Sequence, residues 1–259
     1  MGEIESASYI PMMASFIIGG FVAKDLLNWQ FVILIVAGIA FNIAAFFALL
    51  KVKNPPVTES HRDHPFQHIR NGTKIIRNNP DLIKLFLNFT VVLIPTFVFA
   101  KFDQPYLTGA GLPVAMLGLL YAAAAGISFL LSQNIAWLEK RVSRVAVMYL
   151  SGLLTAAMLL AASFFIDRFV LAFFVFFIVK MTQTVRFPIY SHMSNAYIAS
   201  GSRATTISLL SILDSVMDVV ILVSLSFTAG FGLHTIFLGC ALVVTAGLFF
   251  PVREAKRSH

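Results

Sequence analysis

Three ionisable side chains interrupt long apolar runs of this chain: Lys180, Asp214 and Asp218. A charge in such surroundings costs about 2.5–3.5 kcal/mol even on insertion scales, so each needs a partner, water or a ligand. Asp214 and Asp218 are four residues apart and share a helix face, with Ser208, Ser211 and Ser215 on or beside it. Lys180, Gln183 and Thr184 form a second polar patch with Arg186 one turn on, and Asn88 places an amide inside another apolar run. Two chemistries fit. One is a water-accessible cavity in which a carboxylate takes up a proton or binds a cationic solute. The other is a structural ion pair fastening two helices, or a polar seam against further helices. At 1.5 Å per residue Lys180 lies about 17 Å from one end of its run and Asp214 about 15 Å from the opposite end of its own. The matched depth predicts that Lys180 reaches Asp214, with Asp218 a turn further out.

Other chemistry finds less support. His61, His64 and His68, with Glu59 and Asp63 nearby, are candidate metal ligands, but Pro65 interrupts any helix that would align them. The other reading of the segment is a solvated linker whose helix docks against lipid headgroups, and no metal or cofactor is expected. A P-loop, a Gly-x-Ser-x-Gly elbow and a His-Glu-x-x-His pair are all absent, which removes ATP-driven pumping by this chain alone. An enzyme in the membrane would need convergent acids and bases at one depth, so the chain is not expected to be an enzyme. The single cysteine, Cys240, excludes an intrachain disulfide.

The elements that must position these residues follow from composition. Of 259 residues 58% are hydrophobic and 12% charged, and mean hydropathy is +0.85. A soluble domain could not cover that much apolar surface. Eight runs have the length of a bilayer crossing: 6–23, 31–50, 82–102, 114–131, 145–166, 169–185, 204–228 and 233–252. They are apolar all round rather than striped or alternating, which predicts an all-α integral membrane protein. With eight spans both termini share a side. That side holds fourteen Lys and Arg outside the spans, against Lys24, Lys101 and Arg168 on the other. The imbalance predicts cytoplasmic termini in an inner or plasma membrane; the net charge of +7 is read as orientation rather than nucleic-acid binding. Gly19-Gly20 and Ala122 to Gly126 offer small residues for close helix packing. Pro95 is expected to disturb the third span. Lys101, Asp103, Gln104 and Tyr106 read as interface anchors beyond it.

The order of parts resembles the major facilitator superfamily. Gly19-Gly20-Phe21-Val22-Ala23 followed by Trp29-Gln30-Phe31 is similar to the passage from the family's fifth to its sixth helix. The basic stretch 51–79 resembles its central cytoplasmic loop. The turn Glu139-Lys140-Arg141 to Arg144 resembles a degenerate copy of the charged turn between helices eight and nine. Arg186-Phe187-Pro188, Asn195 and Arg203-Ala204-Thr205-Thr206 resemble the loop from helix ten into eleven of multidrug-type permeases.

The resemblance implies the last eight of twelve helices, a partial or truncated member lacking the first four. It implies two helices over 1–50, a basic linker over 51–80, a six-helix second-half bundle over 81–252 and a cytoplasmic tail over 253–259. It implies a secondary carrier that moves a small solute by alternating access on an ion gradient, protons being a candidate. A non-transporting membrane fragment or assembly partner is the alternative. Expected partners are the bilayer, a small solute and the absent N-terminal helices as a separate chain. The family's cavity is lined by helices seven and ten, which favours Lys180, Gln183 and Arg186 as cavity residues, with Asn88, Asp214 and Asp218 as further candidates. Glu139, Lys140, Arg141, Arg144, Pro188 and Arg203 carry the cytoplasmic-loop motif.

Overall fold

The computed structural model describes residues 2–23, 25, 27–52 and 65–255, and every regular element among them is helical. The helices are α1 (Gly2–Val22), α2 (Asn28–Leu49), α3 (Pro65–Asn78), α4 (Pro80–Gly109), α5 (Val114–Gln133), α6 (Ile135–Arg141), α7 (Arg144–Phe164), α8 (Phe169–Tyr197), α9 (Arg203–Ser226) and α10 (Leu233–Leu248). Six of them, α2, α4, α5, α7, α8 and α9, are long and apolar enough to cross a bilayer; α10 and the Ser8–Val22 part of α1 are shorter apolar helices. Together these eight answer to the eight apolar runs.

The chain punctuates them with ordinary devices. Pro80 opens α4, where a missing N–H costs nothing. Pro113 precedes α5, and the Ser143 hydroxyl caps α7 by accepting from the Ala146 N–H at 3.2 Å. Gly111 and Gly232 take positive φ, 103° and 97°, in the turns before α5 and α10, where a side chain would be strained.

Helix α4 is the hub, with 78% of its most apolar stretch buried. It packs on α8, α10 and α9; α10 lies against α7, and α7 against α8. Phe99, Tyr106, Phe176, Phe237 and Cys240 fill the core between them. Helix α1 lies along α5, crossing where glycines remove the side-chain layer. A Cβ on Gly118 would sit 2.6 Å from the Phe16 carbonyl and 2.7 Å from the Gly20 Cα, so the two backbones touch. Of the small residues singled out by sequence, Gly20 makes this contact and Gly126 faces Met13, whereas Gly19 faces open space. Two surfaces are left bare: α2 buries none of its apolar stretch and α9 only 11% of its own. The amphipathic α3 packs on the start of α9, with Gly72 against Leu209 and Thr205.

Candidate transport cavities

A cavity of about 380 Å³ opens between α1, α4, α5 and α8. Tyr9, Met12 and Phe16 of α1 form one wall; Tyr121, Ala125 and Ser128 of α5 and Lys180 and Gln183 of α8 form the others. Two of the sequence candidates, Lys180 and Gln183, therefore share one site. The Gln183 amide donates to the Thr96 hydroxyl at 2.9 Å, and Thr184 donates to the Ser128 hydroxyl at 2.9 Å. These bonds satisfy polar groups that hydrocarbon would leave unpaired.

Lys180 does not pair with Asp214. Its ammonium lies 3.2 Å from the Asp103 carboxylate on α4. The Tyr121 hydroxyl donates to the other oxygen of the same carboxylate. The ammonium also sits 5.5 Å from the Tyr121 ring centre and 5.7 Å from that of Phe176, within cation–π range. Asp103 is thus no interface anchor: it is 1% exposed. The reason is helix length. Helix α4 continues to Gly109, so Asp103 lies six residues, about 9 Å, inside its end. Lys180 is about 17 Å from the start of α8, and its flexible stem spans most of the difference. Tyr106, likewise read as an anchor, is buried against Phe99 and Phe237, while Lys101 and Gln104 are exposed.

Asn88 and Arg186 line neither this cavity nor the second one described below; they satisfy each other. Both are fully buried. One guanidinium nitrogen donates to the Asn88 carbonyl and side-chain oxygen, both at 2.8 Å. The other donates to the Met148 carbonyl and, at 3.3 Å, to the Ser151 hydroxyl. The Asn88 amide reaches the Gly247 and Phe250 carbonyls at 3.2 and 3.1 Å. The result is a knot joining α4, α7, α8 and the end of α10. Both terminal nitrogens of Arg186 are spent on backbone, amide and hydroxyl oxygens, its Nε is buried without a partner among the described residues, and the side chain borders neither cavity.

Asp214 and Asp218 also part company. The buried Thr90 hydroxyl donates to Asp214 at 2.7 Å, and Asp214 lines a second cavity of about 320 Å³ between α4, α8 and α9. Phe97 and Phe187 border both cavities. Asp218 is half-buried and, among the described residues, has no hydrogen bond or ion pair.

The charged turn gathers on the side of the α4 N-terminus. Glu139 accepts from Arg144 at 2.9 Å and meets His192 of α8 at 3.1 Å. Burial pushes the Glu139 carboxyl up, but the hydrogen bonds and charges of Arg144 and His192 outweigh it and hold the group below its ordinary value. Arg141 lies over the Trp137 ring at 5.3 Å. Lys140 is exposed. Arg203 reaches the Asn195 and Ile198 carbonyls at 3.5 Å, closing the turn after α8, and Pro188 lies within α8. His61 and His64, and the side chain of His68, fall outside the described residues, as does the 53–64 part of the basic linker with Glu59 and Asp63.

Sequence reading missed Asp103, Tyr121, Thr96 and His192 as partners. Only Asp103 left a signal: it is an acidic residue four past Phe99 and three before Tyr106, on one helix face, before the Gly109 to Pro113 break.

A profile of the family described as Major Facilitator Superfamily matches residues 1–221. Searches of curated proteins and of solved structures give no match.

Proposed function

This chain belongs to the major facilitator superfamily, and from that premise we propose that it moves a small solute across a bilayer by alternating access, driven by an ion gradient. The observation that carries the proposal is the cavity between α1 and the α4–α5–α8 wall. Lys180 on its wall pairs with the buried Asp103 behind it, and α1 approaches α5 backbone to backbone at Gly20 and Gly118. A crossing of small residues leaves little side-chain obstruction to rocking of α1 on α5 at that point. The pair gives the cavity a charge that a proton or a charged solute can contest. When a charged solute or ion displaces one partner, the other is released to the cavity; when it leaves, the pair re-forms. Lys180 and Gln183 are the cavity residues of this reading, and Asp214 belongs to the adjoining chamber.

In this reading α1 and α2 end a first half, residues 51–80 link it to a second bundle over 81–252, and residues 253–259 form the tail. Both termini face the cytoplasm of a cell whose inner or plasma membrane holds the protein. The bare α2 and α9 surfaces favour further helices packed there, equivalent to the family's first four and carried on a separate or a longer chain. They also favour a second reading, a membrane assembly partner that transports nothing by itself.

The test is access. Ala125→Cys places a thiol in the cavity wall, and Cys240 is buried away from it. A membrane-impermeant thiol reagent should reach Ala125→Cys from one side of a vesicle in one condition and from the other side when the proton gradient is reversed. Labelling from a single side under every gradient rules out alternation.

A further inference from the structure

We infer that the chamber between α4, α8 and α9 binds a small organic cation of the quaternary-ammonium class, with Asp214 as its counter-charge. The chamber wall carries one carboxylate and no Lys, Arg or His among the described residues. No cationic side chain lies within 4 Å of Asp214 among those residues. Thr90, itself fully buried, donates to one carboxylate oxygen and fixes the group in the chamber wall.

What surrounds the charge is aromatic. Phe89, Phe97, Phe187 and Tyr190 border the space; Phe89 stacks on Tyr190 at 3.9 Å and meets Phe187 edge-on at 5.5 Å. Ring faces attract weakly hydrated cations and do little for an anion. A metal cation would need a shell of oxygens. Here the wall offers a single carboxylate, and its other side-chain oxygens are neutral hydroxyls. A volume of about 320 Å³ fits a molecule of that class. The neighbouring cavity differs in its charge, since the ionised group on its wall is Lys180, already paired with Asp103. Phe97 and Phe187 form the partition.

The inference names a substrate class for the proposed carrier, and in its transport meaning rests on that reading; binding itself does not. The test uses the full chain in nanodiscs of zwitterionic lipid and equilibrium dialysis of radiolabelled benzyltrimethylammonium at neutral pH. Wild type should bind saturably. Asp214→Asn should weaken binding about tenfold or more, Asp214→Glu should retain it, and Phe89→Leu should lose several-fold. Benzenesulfonate and sodium at equal concentration should not displace the label. Absence of saturable binding, unchanged affinity in Asp214→Asn, or displacement by the sulfonate or by sodium overturns the assignment. If Asp214→Asn does not purify as a monodisperse protein, Phe89→Leu and the competitor series on wild type decide it. Binding that depends on Asp214 while Ala125→Cys labels from one side only leaves the cation site standing and removes the carrier. Alternating access without cation binding does the reverse.

Discussion

Lys180 and Arg186 stand six residues apart on one helix, and the structure uses them in opposite ways. Six steps of 100° turn the second about 240° from the first, so they face different neighbours. Lys180 faces a cavity and Arg186 the packed meeting of α4, α7 and α10. Their chemistry suits these places. A guanidinium presents five donors in a rigid fork, so carbonyls and an amide can satisfy it without a counter-charge. An ammonium is a compact charge on a flexible stem and needs an anion, here Asp103. A cation in a membrane helix is thus a knot where packed carbonyl and amide oxygens surround it, and a candidate working part where it borders empty space.

The difference can be broken by mutation. Arg186→Met should be the most damaging change. It strands the Asn88, Met148 and Ser151 acceptors in a water-free core, and about 3–5 kcal/mol of stability is expected to go. The readout is the yield and apparent melting temperature of the protein in detergent. Arg186→Lys should recover only part, since a point charge cannot reach both sets of acceptors. Next comes Lys180→Met, which leaves Asp103 alone and 1% exposed; about 3 kcal/mol is expected. The double change Lys180→Met with Asp103→Leu should restore most of it, because the buried charge is gone. Asp214→Leu combined with Lys180→Met should simply add, as distant sites do. Rescue by Asp214→Leu instead of Asp103→Leu would show that the pair is drawn wrongly.

A third test separates seam from core. Gly118→Val forces a side chain into the Phe16 carbonyl and Gly20. About 1–3 kcal/mol is expected from overpacking, read as loss of a disulfide trap between Phe16→Cys and Tyr121→Cys. Gly19→Val, facing open space, should stay within about 0.5 kcal/mol.

The spans were legible because hydrocarbon imposes one rule on every residue of a crossing: apolar side chains over a fixed length. Partners were not, because they depend on which faces meet. The apolar run read as ending at residue 102, yet α4 runs through Pro95 and Pro105 to Gly109; the donor each proline lacks is a local loss that neighbouring packing tolerates. That misplaced end made Asp103 look like an interface residue and left Asp214 as the nearest acid for Lys180. Gln183 was found correctly as a neighbour of Lys180 because three residues on a helix share a face. Two of the four acceptors of Arg186 are main-chain carbonyls of α4 and α7, which carry no side-chain signature in any sequence. Glu139 and Arg144 were visible as a charged turn, but His192 lies 53 residues further on and joins them only through the fold.

The smallest expected effect lies in that turn. Glu139 is 12% exposed and Arg144 37%, so water screens the pair and about 1 kcal/mol or less is at stake. Its pH dependence still has a definite sign. Glu139 is held below its ordinary value in the folded protein. Such a carboxylate contributes stability that is fully present above its unfolded value, about 4.3, and is lost as pH falls through the lower folded value. Acidification below about pH 4 should therefore loosen α6 from α7 and α8, while the Arg186 variants keep the same acid slope as wild type. Glu139→Gln removes the titrating group, so its melting temperature should start slightly lower at pH 7 and fall less steeply between pH 5 and 3. His192→Ala removes one of the two groups that hold Glu139 low and should give an intermediate slope. An acid slope in Glu139→Gln equal to that of wild type would assign the acid sensitivity elsewhere and reduce the turn to a surface contact.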